Sequence, residues 1–220
     1  MTQPKLTFDQ AMQRLHAKAN PKLVAGSMHF GLKTPNIMGV PLPEIRAIAK
    51  GQRDHDLAQQ LWQTGIHEAR LLASMVEDPH QVTEAQMDAW VKDFDNWGVC
   101  DGVCNDVFKR TPFAFPKAIE WCQREEEFVR RAGFVMMAVL AIHAKQIPQE
   151  EFLKFLPYIK RYAVDERNFV KKAVNWALRQ IGKRNPFLRE KTIEAAEEIQ
   201  GMDSPSAHWI AKDALRELKS

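Results

Sequence analysis

Arg167–Lys183, RNFVKKAVNWALRQIGK, separates its apolar and basic residues cleanly when wound at helical pitch. Phe169, Val170, Ala173, Val174, Ala177, Leu178 and Ile181 fall on one broad face, the repeat of a helix packed on a core. Lys172, Trp176, Arg179 and Lys183 follow at i, i+4, i+7 and i+11 and form a separate stripe beside that face. A large aromatic thus stands among cations. One reading of the stripe is a solvated helix edge with a tryptophan tucked towards the next helix. The other is a nucleic-acid surface, in which Lys and Arg hold phosphates while the ring packs on sugar or base.

The remaining chain carries the same helical signature. Thr7 reads as the N-cap of a helix over Phe8–Ala19, with Phe8, Met12 and Leu15 burying one edge. Pro21–Pro43 holds three glycines and further prolines, so a broken helix and an irregular loop are expected there. Phe30, between His29 and Gly31, is either a ring this loop presents or a core residue. Helices then follow over Pro43–Lys50, Asp56–Thr64, His67–Val76, Thr83–Phe94, Asn96–Arg110, Pro116–Arg124, Glu126–Lys145, Gln149–Tyr162, Arg167–Lys183, Pro186–Gln200 and Ser204–Lys219. Asp78-Pro79, Asp95-Asn96, Thr111-Pro112, Ile147-Pro148, Asn185-Pro186 and Ser204-Pro205 punctuate them. No segment alternates as a strand does. Two helices recur about every 30 to 40 residues, the size of helical-pair repeats. The expected architecture is a single all-α domain, an α-α superhelix or solenoid, whose concave side could follow a long ligand.

At 220 residues, with 45% hydrophobic and 27% charged residues, the chain is long enough for one sizeable core and ordinary for a soluble protein. The net charge of +3 is small, but its distribution is uneven. Lys154–Lys191 holds eleven Lys and Arg against three acids, whereas Glu77–Asp101 holds seven acids against Lys92 alone. Such polarity suits a basic face for a polyanion, or two regions that pair with each other. Cys100, Cys104 and Cys122 form no C-x-x-C and leave an odd thiol in any pairing, which points to a reducing cytosol. The start MTQPKLTFDQ carries no secretory pattern, and Ala132–Ile142 is too short an apolar run to cross a bilayer. That run is apolar all round, so its helix should be enclosed, with Arg130 and Arg131 where it leaves the core, a margin at which an arginine is either a structural partner for Glu or Asp or part of a basic surface.

One acid stands out. In the helix opened by Asp95 and Asn96, Trp97, Asp101, Cys104 and Phe108 lie at i, i+4, i+7 and i+11. Asp101 therefore sits beside an indole at the edge of a stripe completed by Cys100, Val103 and Val107. It is either a salt-bridge partner for a neighbouring helix or a functional acid. Other chemistries find little support. Cys100 and Cys104 lack a His or acid at metal-ligand spacing, and His67-Glu68 is followed by Leu71 where a zincin would need a second His. No phosphate-cradling Gly loop and no G-x-S-x-G elbow are present.

Three stretches carry a resemblance: Asp95-Asn96-Trp97-Gly98-Val99-Cys100-Asp101, Phe128-Val129-Arg130-Arg131-Ala132, and Asn168 through Arg179. In this order and spacing, and with the segment Gly39–Arg46 ahead of them, the chain resembles the AlkD-type DNA alkylation repair glycosylases, which are built from HEAT-like helical repeats. The resemblance implies that Trp97 and Trp176 are paired aromatics facing the sugar and backbone of a lesion. It implies that Asp101 is the catalytic carboxylate and Arg131 the phosphate-side arginine, with Arg130 in that role if the register moves by one. Lys172, Arg179, Lys183 and Phe30 would be DNA contacts. The implied reaction is hydrolysis of the N-glycosidic bond of cationic purines such as 3-methyladenine and 7-methylguanine in duplex DNA, by a monomer, without a cofactor or a base-flipping pocket. Two positions depart from the pattern: Gly98 stands where many relatives carry Asp, and Phe30 near where some carry Tyr. The alternatives are a catalytically silent relative that binds distorted or branched DNA, and a protein-binding helical-repeat adaptor.

Overall fold

The computed structural model describes residues 5–29, 31–32 and 34–220. Phe30 lies outside the described residues. Among those residues every regular element is a helix, as the absence of alternating segments predicts. The chain divides into two compact units, Met1–Thr111 and Pro112–Ser220.

The first unit holds α1 (Phe8–Lys18), α2 (Pro21–His29), α3 (Leu42–Ala49), α4 (His55–Gln63), α5 (His67–Val76), α6 (Glu84–Lys92), α7 (Trp97–Asp106) and a 3-10 turn at Phe108–Arg110. Side-chain caps set where these helices begin. Thr7 and Gln10 form a reciprocal capping box on α1, and Asp54, Thr83 and Asn96 each accept a backbone N–H at the start of α4, α6 and α7. The sequence pattern over Asn96–Arg110 predicts one helix, but α7 ends before Val107, whose backbone is non-helical, and the chain continues as the 3-10 turn. Thr111 closes that turn by donating its hydroxyl to the Phe108 carbonyl at 2.9 Å. Helices α3, α5 and α7 pack in succession. A Cβ on Gly98 would stand 3.1 Å from His67, and one on Gly102 would stand 2.7 Å from Leu71. Both steps are one helical turn in the same direction, so α5 and α7 run parallel as equivalent members of successive helix pairs.

The second unit holds α8 (Ala114–Cys122), α9 (Glu127–His143), α10 (Gln149–Leu153), α11 (Leu156–Tyr162), α12 (Asn168–Gly182), α13 (Pro186–Gln200) and α14 (Pro205–Leu218). The helix expected over Gln149–Tyr162 is two helices. Pro157 explains the division, because it offers no N–H to the carbonyl four residues back and its ring crowds that position. Helix α9 is the centre of this unit, packed between α8 and α12. Residues 132–141 are all buried, as their all-round apolar pattern predicts, but the enclosed stretch is shifted by one residue: Arg131, expected where the helix leaves the core, is buried, and Ile142, expected inside, emerges at 40% exposed. Each fully buried Phe, Met or Val along it contributes roughly 1.5–3 kcal/mol of burial free energy. Gly133 permits the closest approach: a Cβ there would stand 2.3 Å from the Cys122 backbone nitrogen.

A constant offset marks the repeat in this unit. Arg131 bonds Phe169, Lys160 bonds Glu198, Asn175 bonds Asp213 and Arg179 bonds Glu217, every pair 38 residues apart. Helices α9, α12 and α14 therefore stack in parallel, and α11 meets α13 at the same step, the period expected from the sequence. Cys100, Cys104 and Cys122 are buried, and burial pushes the Cys122 thiol up to about 12. Among the described residues no helix is long and apolar enough to cross a membrane.

Candidate nucleic-acid interface

The start of α7 is built to hold two side chains at its rim. Asn96 is buried and accepts the Val99 N–H at 3.0 Å, while its own amide donates to Asp95 at 2.6 Å. Val99, Cys100, Val103 and Cys104 are enclosed, which fixes the rotation of the helix. That rotation leaves Trp97 and Asp101, one turn apart, half-buried. Asp101 thus reaches the surface from a helix whose other side is locked in the core.

Gly98, where the resemblance leads one to expect Asp, has a packing reason. A Cβ at this position would lie 3.0 Å from Leu32 and 3.1 Å from His67. The imidazole of His67 occupies that space from α5, 7% exposed and with its Nδ1 lacking a hydrogen-bond partner among the described residues. Burial lowers the pKa of His67, against the opposite pull of Glu68 and Asp95, and so favours the neutral ring. Gly98→Ala is expected to destabilise the fold by about 1–3 kcal/mol through overpacking. His67→Ala in the same chain should recover part of that loss, and urea unfolding of the double-mutant cycle reads the coupling directly.

The adjacent Glu68 is only 2% exposed, and its carboxylate accepts the backbone N–H groups of Met38, Gly39 and Val40 at 2.9, 2.6 and 3.1 Å. It pins the segment that the sequence marks as irregular. Nothing in the local pattern around His67-Glu68 announces this role, since the recipients lie about thirty residues away.

In the second unit the sequence-predicted residues divide into three kinds. Lys172 is exposed on α12 with no ion pair among the described residues, and Trp176 beside it is half-buried. Arg179 and Lys183 are both held by Glu217 of α14, and Arg179 Nε also lies 3.6 Å from Asp213. Arg130 pairs with Asp165 at 2.8 Å and lies over the Tyr162 ring. Burial would raise the Asp165 carboxyl, but hydrogen bonds from Arg167 and Arg130 outweigh it and hold the group below the usual carboxylate range. Arg131 is different again, 6% exposed, with Nη1 donating to the Phe169 carbonyl at 2.6 Å. It fixes the first turn of α12 from below. Sequence reasoning missed Asp213 and Glu217, although both stand 38 residues beyond the positions they hold, Asn175 and Arg179. Among the described residues no group of three or more His, Cys, Asp or Glu could hold a metal ion.

Parallel stacks of helix pairs at a fixed period define a HEAT-like helical-repeat protein. Residues 11–218 match the family described as DNA alkylation repair enzyme, and the chain belongs to that family. The match runs through both units. An uncharacterized protein of Listeria innocua is 24% identical over 200 residues, covering 88% of this chain and 87% of its own length. Another, of Listeria monocytogenes, is 23% identical over the same shares. A solved structure shares the fold with a TM-score of 0.78 at 22% identity, covering 95% of this chain and 94% of its own. That structure is described as a new family of proteins related to the HEAT-like repeat DNA glycosylases with affinity for branched DNA structures.

Proposed function

We propose that this protein hydrolyses the N-glycosidic bond of cationic alkylated purines, such as 3-methyladenine and 7-methylguanine, in duplex DNA. The observation that carries the reading is Asp101, held at the rim of α7 one turn from Trp97, in a chain of the DNA alkylation repair family. A purine that already bears a positive charge leaves without protonation, so no general acid and no cofactor are needed. The bond from C1′ to the base nitrogen breaks with its electron pair going to the base, which becomes neutral. The sugar is left as an oxocarbenium-like cation. The Asp101 carboxylate stabilises that cation and orients a water whose oxygen bonds to C1′, the surplus proton passing to solvent. Trp97, one turn from Asp101 on α7, favours the same developing positive charge through its ring face.

Lys172, with Arg179 and Lys183, would hold backbone phosphates without reading sequence. Arg131 serves as a positioning residue, since its bond to Phe169 sets where α12 begins. Arg179 and Lys183 must exchange Glu217 for phosphate when DNA binds, which partly exposed pairs permit because each is worth about 1 kcal/mol or less. Glu217→Gln is therefore expected to tighten duplex binding at low salt by about fivefold, the loss of one repulsive charge near the phosphates. Fluorescence anisotropy of a labelled duplex measures it, and unchanged affinity would remove these two cations from the interface.

A second reading is DNA binding without chemistry, favoured by the affinity for branched DNA ascribed to the solved relative. Release of free base from methylated duplex DNA separates the two: the enzyme liberates it, and a silent binder does not.

A further inference from the structure

Trp209 is the most exposed tryptophan the sequence reading left unused, at 41%. It lies on α14, where Lys171 of α12 reaches over its ring with Nζ 5.5 Å from the centroid. Lys212, one turn further on, is exposed and has no ion pair among the described residues.

The direction in which these side chains point follows from the helix phases. On α12, Lys171, Asn175 and Arg179 face α14, where they meet Trp209, Asp213 and Glu217. The exposed stripe of α12, Lys172 with Lys183 and the half-buried Trp176, lies roughly a quarter-turn to one side of that contact line, at about 100° per residue. On α14 the exposed Lys212 and Arg216 lie about a quarter-turn from the same line, in the opposite rotational sense. Two parallel helices seen end-on meet along opposite directions, so opposite quarter-turns open onto one side. Trp176 and Trp209 therefore belong to one surface of the second unit. Six cations, Lys171, Lys172, Arg179, Lys183, Lys212 and Arg216, border it against the two acids Asp213 and Glu217.

We propose that Trp209, with Lys171 and Lys212 beside it, is a second backbone-binding station on this surface, taking the sugar-phosphate backbone of the duplex beyond the damaged nucleotide. The inference rests on the reading that the chain acts on duplex DNA. Its occupant is set by charge and shape. An exposed indole between lysines offers a flat stacking face and two phosphate donors, and the surplus of cations suits a polyanion. Nothing in this arrangement would read base sequence.

The test uses the full chain and a fluorescently labelled duplex. Trp209→Ala is expected to weaken binding about five- to tenfold, the effect of losing one aromatic stacking contact. Trp209→Phe should stay within about twofold of wild type, because it keeps a ring in the same place. Lys212→Gln should lower the slope of log affinity against log salt by about one, the loss of one phosphate contact. If wild type binds and releases base while Trp209→Ala and Lys212→Gln match its affinity and salt slope, the station is overturned and the DNA reading stands. If wild type fails to bind duplex DNA, both fall together.

Discussion

Asp101→Asn is expected to lower the single-turnover rate of base release from methylated duplex DNA by at least about a hundredfold, while duplex affinity stays within about twofold. The magnitude follows from what the carboxylate does in the proposed step. Removing one preorganised electrostatic partner of a developing charge costs about 2.7–4 kcal/mol in comparable sites, or about two to three powers of ten in rate. Asparagine keeps the size and shape of the side chain, so it removes charge and leaves the helix undisturbed. Affinity should hold or rise slightly, because the lost group repels phosphates in the ground state and helps only when the sugar becomes cationic. Chemical-quench measurement of released base at saturating protein isolates the step from binding. Equal release by both proteins would move the chemistry to another group. Tight binding with no release by wild type would leave the chain a DNA binder.

How far the sequence led differs between scaffold and site. The buried face of α12 was legible because a helix packed on a core leaves a local period: Val170, Ala173, Val174, Ala177, Leu178 and Ile181 are all enclosed, and Phe169 at the helix start is half-buried. The enclosure of residues 132–141 of α9 was legible because they are apolar all round, and the starts of α7, α13 and α14 because Asn96, Asn185 and Ser204 each cap a helix. The division between α10 and α11 was also written in the chain, in Pro157, but an apolar pattern running across it reads as one helix. Charge pairing was not legible locally. Arg179 looks like a surface cation until Glu217 arrives from 38 residues away, and for Arg130, placed at a core margin where an acid partner is one reading, the identity of that acid, Asp165, lies 35 residues off. A known repeat offset would have exposed the first of these, since Lys160–Glu198 and Asn175–Asp213 lie at the same step of 38. The reason for Gly98 lies further out of reach, because it depends on a histidine from another helix filling the space.

Glu68→Ala is expected to lower the unfolding free energy by roughly 3–5 kcal/mol, the larger stability effect among the changes considered. Three backbone N–H groups lose their acceptor at once, and the bonds to Gly39 and Val40 are buried where water gives little relief. The segment cannot simply turn to find other partners. Gly39 is held at a φ of +76° with the Asn20 carbonyl so near that a Cβ would stand 2.2 Å from it. On either side, Asn20 donates to the Met38 carbonyl at 3.0 Å and His67 donates its backbone N–H to Asn36 at 2.8 Å. Glu68→Gln should cost less, about 1–3 kcal/mol, since its one carbonyl oxygen can still serve Gly39 and Val40 while its amide faces the Met38 N–H. Urea unfolding ranks the three proteins, and faster hydrogen exchange at Met38, Gly39 and Val40 locates the change. The effect should also reach the chemistry. Helix α5 carries His67 against Gly98 at the start of α7, so a loosened α5 start loosens the turn that aims Trp97 and Asp101. Base release should then fall in Glu68→Ala even at temperatures where the protein remains folded. If stability dropped by less than about 1 kcal/mol, water or another acceptor would have to satisfy the segment, and Glu68 would not be what holds it.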